Sequence, residues 1–177
     1  NNIVLSSIST NVQGNYIGTD ATGASLPIAV ARGRVGIRVG DDLNSQIGGT
    51  EPGAGNLIAG HIWGIYLSGR FAPGGAEGTR IQGNRVGTTN DGQEAIANTW
   101  GIYLDGFVDT NGVTRKVTDT LIGGTEERAG NLVSGSQNDG IVVFGPGATG
   151  IVVQGNRIGT DIDGVHTLPN DTGVLIE

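Results

Sequence analysis

The chain has no cysteine, which excludes disulfide staples and thiolate metal sites and leaves the redox compartment open. Methionine is absent too, so residue 1 is not an initiator, and we expect a processed product or a segment of a longer chain. No apolar run approaches the roughly 18 residues of a spanning helix, and no basic start leads into an apolar stretch. Neither a membrane span nor a signal peptide is expected in these residues. Charge is sparse, at 15% of residues, and one-sided, with 17 acidic against 10 basic side chains for a net −7. A phosphate backbone would be repelled, so nucleic acid is not an expected partner.

Glycine is abundant, at 34 of 177 residues. It costs roughly 1 kcal/mol against alanine inside a helix, and here it recurs between pairs of Ile, Val and Leu, which suits short strands punctuated by turns. The chain is also a repeat. Val153-Gln154-Gly155-Asn156-Arg157-Ile158-Gly159-Thr160 has near-copies at residues 12–19 and 81–88, while residues 47–60 and 122–135 share the Gly-Asn core with six extra residues before it. Self-similarity at a few tens of residues predicts a solenoid whose units bury their apolar side chains only against their neighbours.

Aligned on the Gly-Asn pairs, the segments display three apolar columns. Column one is Val12, Ile47, Ile81, Ile122 and Val153; column two is Ile17, Ile58, Val86, Val133 and Ile158. Column three is a Gly-Ile-x-Val/Leu strand: Ile37 with Val39, Ile65 with Leu67, Ile102 with Leu104, Ile141 with Val143, and Val174 with Ile176. Alternation over three to five residues has the period of a pleated ribbon. Three short strands per turn predict an all-β, single-domain parallel β-helix over residues 1–177, a three-sheet solenoid of about five coils. The five Gly-Asn pairs read as bends that need the left-handed backbone region, with Asn15, Asn56, Asn84, Asn131 and Asn156 able to form a ladder along the axis. The link from column one to column two alternates between 5 and 11 residues. Long loops then fall at every second level, which leaves them room, because parallel coils lie only about 4.8 Å apart.

Gly14-Asn15-Tyr16-Ile17-Gly18-Thr19-Asp20 and Gly155-Asn156-Arg157-Ile158-Gly159-Thr160-Asp161, with Ile47-Gly48-Gly49-Thr50, resemble the repeats of large secreted bacterial right-handed parallel β-helix proteins, which belong with the pectate-lyase-like superfold. The resemblance covers nearly the whole chain and implies the fold, its right-handedness and an extracellular or bacterial cell-surface location. It implies no single activity, since the superfold includes lyases, hydrolases, epimerases, tailspikes and adhesins. In its enzymes the strand preceding the substrate groove would correspond to column three.

A glycosidase would need converging carboxylates, and the outward positions of column three, Arg38, Tyr66, Tyr103, Val142 and Leu175, supply none. Arg38 with Asp41 and Asp42 is the nearest approach to a lyase-like calcium and arginine site, and His61 and His166 are far apart in the repeat. Asp161-Ile162-Asp163-Gly164 resembles the start of a calcium loop, with Asp20 and Asp91 similarly placed. Asp161 and Asp163 are thus candidate Ca²⁺ ligands, but the distal glutamate is missing and an ordinary turn uses the same residues. Asn170-Asp171-Thr172 matches a glycosylation acceptor by accident. The sharpest signal is Trp63-Gly64-Ile65-Tyr66-Leu67, repeated as Trp100-Gly101-Ile102-Tyr103-Leu104, with Phe71 and Phe107 following. Trp63, Tyr66, Trp100 and Tyr103, edged by Arg38 and Asp105, form either a sugar-stacking platform or a purely structural aromatic ladder, of which the ladder is favoured. The expected function is a non-catalytic extracellular spacer, adhesive or surface element with glycan contact; the alternative is a polysaccharide lyase or glycosidase. Because column three also opens and closes these residues, either further coils or capping segments on at least one side, or end-to-end self-association of copies, are expected to cover its terminal strands.

Overall fold

Each apolar column becomes one parallel sheet. The computed structural model describes residues 3–26, 33–71 and 74–177, and among these the only helical element is the 3-10 turn Gly69–Phe71. The first sheet stacks Asn11–Val12, Gln46–Gly48, Arg80–Gln82, Leu121–Gly123 and Val152–Gln154; the second stacks Tyr16–Ile17, Leu57–Ile58, Arg85–Val86, Leu132–Val133 and Arg157–Ile158. The third has six strands: Ile3–Leu5, Gly33–Val39, His61–Ser68, Trp100–Asp105, Ile141–Phe144 and Val174–Ile176. Every strand pairs in parallel with its counterparts in the preceding and following passes of the chain, a solenoid-like arrangement. The predicted columns are in register residue for residue, Ile47 beside Ile81, Val86 beside Val133, Ile65 beside Ile102. Most of their side chains, with Leu5, Ala76 and Val117, form one continuous buried core, against which Val153 and Ile158 pack partly buried.

Four sheets are present where three were expected. Between the third and first sheets, the two-residue strands Asp42–Leu43, Ala76–Glu77, Val117–Thr118 and Ala148–Thr149 form a fourth parallel sheet. Its inward column, Asp42, Ala76, Val117 and Ala148, has no consistent apolar identity and so left no periodic signal. Just after each strand comes a left-handed residue, Asn44 (φ 56°), Gly78 (68°), Asp119 (51°) and Gly150 (68°), all types that tolerate this region. Glycine alternates with Asn or Asp because a Cβ on Gly78 would strike Asn44 Oδ1, and one on Gly150 would strike Asp119 Oδ1.

The Gly-Asn bends are of two kinds. Gly14, Gly83 and Gly155, on the short links, have φ of 66°, 66° and 67°, whereas Gly55 and Gly130, on the long links, are not left-handed. Those two are glycine for space: a Cβ there would collide with the carbonyl oxygens of Gly83 and Gly155. The five asparagines then run as a ladder. Asn56 donates from its backbone N–H and its amide to Asn84 Oδ1 (3.0 and 2.9 Å), Asn84 does the same to Asn131 (2.9 and 3.0 Å), and Asn131 to Asn156 (3.0 and 2.9 Å). The amides of Asn56, Asn84, Asn131 and Asn156 also donate back to a first-sheet carbonyl, as Asn131 Nδ2 does to Ile81 O at 2.8 Å.

The loops that follow the second sheet at alternate levels, residues 18–25, 87–96 and 159–168, touch one another across the intervening level. Asn90 N–H donates to Gly23 O at 2.9 Å and Ile162 N–H to Gly92 O at 3.0 Å. They cover the outward leucines of the levels between, Leu57 and Leu132, which are buried. In the last strand of the third sheet, by contrast, Val174 and Ile176 are 38% and 73% exposed.

Removing an interior rung strands buried partners on both sides. Asn131→Ala should lower unfolding free energy by about 2–4 kcal/mol in urea denaturation. Asn15→Ala, at a half-exposed rung, should cost about 1 kcal/mol or less.

Candidate functional site

The aromatic face grows from a break in strand alternation. Gly64 and Gly101 precede the inward Ile65 and Ile102, and a Cβ on either would press the core at 3.0 Å from Val86 Cγ1 or 2.9 Å from Val133 Cγ1. With no side chain tolerated there, the residue before each glycine turns outward, and that residue is tryptophan. Trp63 and Trp100 pair in register and stack, with ring centroids 5.7 Å apart and planes inclined by 14°. Tyr66 and Tyr103 are also in register and meet edge to face at 5.8 Å, and Trp63 stacks on Tyr66 at 5.2 Å. Phe144 continues the row from the next strand, 6.4 Å from Tyr103.

Below the rings lies a carboxylate. Asp105 ends its strand pointing outward, yet it is only 3% exposed. Its Oδ2 accepts hydrogen bonds from the Tyr66 hydroxyl (2.7 Å) and from Arg70 Nε, and Arg70 Nη2 reaches Oδ1 at 3.4 Å. The guanidinium also lies over the Phe107 ring, 3.9 Å from its centroid, a cation–π contact that fixes it on the apolar side. Trp63, Tyr66, Arg70, Trp100, Tyr103, Asp105 and Phe144 together line an open concavity of about 290 Å³.

Five of the six expected site residues therefore meet in one place. Arg38 stands in register beside Tyr66 but is not part of the lining. Arg70 and Phe144 went unnoticed, because Arg70 reaches Asp105 from 35 positions away, and no spacing announces such a pair. Tyr66, expected as an open outward ring, is covered to 7% exposure, whereas Tyr103 is half-buried and its ring faces the concavity. The Phe71 side chain lies outside the described residues.

The electrostatics keep both tyrosines protonated and the arginine charged. Burial is the main reason that the Tyr66 hydroxyl is pushed up to about 12, with the charge of Asp105 adding to it. Tyr103 is raised as well, again chiefly by burial. The Asp105 bond in turn keeps Arg70 firmly charged. Neither tyrosine is set to accept a proton at neutral pH, and the lone carboxylate is held by an arginine rather than poised opposite a second acid.

The other candidates serve their own loops. Asp161 is buried; its Oδ1 accepts from Val165 N–H (2.9 Å) and its Oδ2 from His166 N–H (3.0 Å) and faces His166 Nδ1 at 2.7 Å. Asp20 makes the same kind of turn with Thr22, Ala24 and Ser25, and Thr89 takes the equivalent place in the middle loop, paired with Asp91. Asp163 accepts from Gln93 Nε2 at 2.8 Å across the loops. Among the described residues no three His, Asp or Glu side chains are grouped to hold a metal ion. Asp42 turns inward onto Ser45 (2.9 Å), whereas Asp41 accepts from Gly74 N–H (3.1 Å), so the two carboxylates face different partners. His61 is buried and the His166 side chain is 78% exposed in a different loop. Asn170 spends its amide on Ser136 N–H and Val133 O.

Comparison with protein-family models, with curated proteins and with solved structures gives no match. The functional reading rests on the geometry above.

Two titrations probe it. Tyr66 should ionise near pH 12, identified in an absorbance titration by its loss in Tyr66→Phe, and Asp105→Asn should bring that ionisation to lower pH. Burial pushes the Asp161 carboxyl up, but the hydrogen bonds from Val165 and His166 outweigh it and hold it down at about 2. Its contribution to stability is therefore complete above the ordinary carboxylate value of about 3.9 and is lost as pH falls toward the folded value. Urea midpoints should drop through that window in the wild type, and Asp161→Asn should flatten this part of the profile.

Proposed function

We propose that this chain is a segment of a right-handed parallel β-helix of about five coils, related to the pectate-lyase-like repeat proteins of bacterial surfaces, and that it binds neutral glycan without cleaving it. The parallel registers, the asparagine ladder and the alternating loops support the architecture and the kinship. The observation that carries the function is the concavity walled by Trp63, Trp100 and Tyr103 over the Asp105–Arg70 pair. Aromatic faces stack on the apolar face of a sugar ring, while a fixed carboxylate and guanidinium offer acceptors and donors to its hydroxyls. A stiff rod with one such patch acts as an adhesive spacer outside the cell.

The rival reading, a polysaccharide lyase or glycosidase, is favoured by one observation, the Tyr66–Asp105–Arg70 cluster. It is weakened by the high Tyr66 value and by the single carboxylate in the concavity. Calorimetric titration against neutral oligosaccharides separates the two. Trp100→Ala or Tyr103→Ala should weaken binding about fivefold, as expected for loss of a stacking contact of about 1 kcal/mol, with circular dichroism unchanged. Tyr66→Ala should also lower stability, because it uncovers Asp105. New reducing or unsaturated ends during incubation with pectins or alginates, with and without calcium, would instead establish the enzyme.

A further inference from the structure

A second concavity, of about 390 Å³, lies on the second sheet beside the asparagine ladder and is lined by three of the chain's few basic residues, Arg85, Arg128 and Arg157. Their clustering opposes the overall charge of −7. Arg85 and Arg157 are the outward residues of strands two levels apart, with Leu132 in register between them, and Arg128 precedes that middle strand. The arginines thus occupy three successive levels, about 4.8 Å apart, and guanidinium side chains can reach across that spacing to one group.

Little within the protein claims these charges. Arg157 is exposed, and its guanidinium makes no hydrogen bond or ion pair among the described residues. Arg128 has only a 3.3 Å contact with Glu127, both ends exposed, a pairing of little strength. The charge of Arg85 helps, as a minor cause, to hold the Asp91 carboxyl down, but Arg85 Nε is buried with no acceptor among the described residues, a state that calls for a partner. Glu51 also lines the concavity and marks its acidic end, while Leu132 and Ile162 form apolar wall, which strengthens charge interactions nearby.

We infer that this concavity binds a tetrahedral oxyanion ester, a sulfate or phosphate carried on a sugar. A carboxylate has two oxygens and is satisfied by one guanidinium fork, whereas an ester of this class presents three terminal oxygens, one for each arginine. Single-stranded nucleic acid also carries phosphate, but it is held by aromatic stacking, and no aromatic ring lines this site.

The test is calorimetric titration at low salt with glucose 6-sulfate, glucose 6-phosphate, glucuronate and glucose. Both esters, or one of them, should bind, with glucuronate and glucose each at least about tenfold weaker, each lost charge-assisted bond being worth about that factor. Arg157→Gln and Arg128→Gln, both at exposed positions, should each weaken ester binding about tenfold, and raised salt should weaken it further. Trp100→Ala should leave it unchanged, which separates this site from the aromatic face. Absence of ester binding, glucuronate binding as well as the esters, retention of full affinity in both arginine variants, or tighter binding of an oligothymidylate would each overturn the assignment.

Discussion

Everything in this chain answers to the stacking of parallel strands about 4.8 Å apart. At that distance each residue sits directly against its equivalent in the next pass, so any side chain or bend that works once must work beside its own copy. Within the strands the backbone satisfies itself. At the bends between the first and second sheets it cannot, and the asparagine amides take over, each Oδ1 accepting from the backbone and amide of the preceding rung. Buried polar groups without partners are costly, so the ladder is the condition under which a bend can lie inside the stack. The neighbouring glycines meet the same constraint sterically, since carbonyls of the adjacent pass stand where their side chains would be.

The two-level alternation is the second consequence. Loops of eight or more residues cannot repeat at every level, so they skip one and close over the level they skip. The skipped levels place leucine on the outside of the second sheet, Leu57 and Leu132, because the loops bury it. The levels that bear the loops place Tyr16, Arg85 and Arg157 at the same position, since no loop covers those residues to the same extent. The position of two of the three arginines is therefore an outcome of loop spacing, and their chemistry is superimposed on it.

What could be read from the sequence was whatever repeats with the same residue type. The three columns, the ladder and the register of Trp63 with Trp100 and Tyr66 with Tyr103 all have this property, and all appear in the structure at the residues named. The fourth sheet does not. Its inward column mixes Asp42, Ala76, Val117 and Ala148, and its left-handed column uses Asn44, Gly78, Asp119 and Gly150 interchangeably, because the backbone there demands a conformation and not a chemistry. Arg70 was illegible for another reason, as its role depends on a turn after one strand reaching the end of the next. The burial of Tyr66 follows from that same contact, since its hydroxyl and Arg70 share one carboxylate.

These constraints also explain how a repeat of this kind can carry function at all. Inward positions and bends are committed to the stack, and loop-covered positions are committed to the loops. Only outward positions on uncovered stretches of sheet are available, and the third sheet between residues 63 and 144 is such a stretch. There the demand for self-compatible neighbours favours residues that stack on their own copies, which is what flat aromatic rings do. A ring row selected for stability in this way already presents the surface on which a sugar ring stacks. The feature that sets this row apart from a ladder alone is Asp105. Stability would be served as well by an apolar residue at that position, whereas a buried carboxylate, with Tyr66 and Arg70 arranged to hold it, places a fixed polar group at the floor of the concavity. The cost of burying that charge is the physical ground for reading the row as a binding surface.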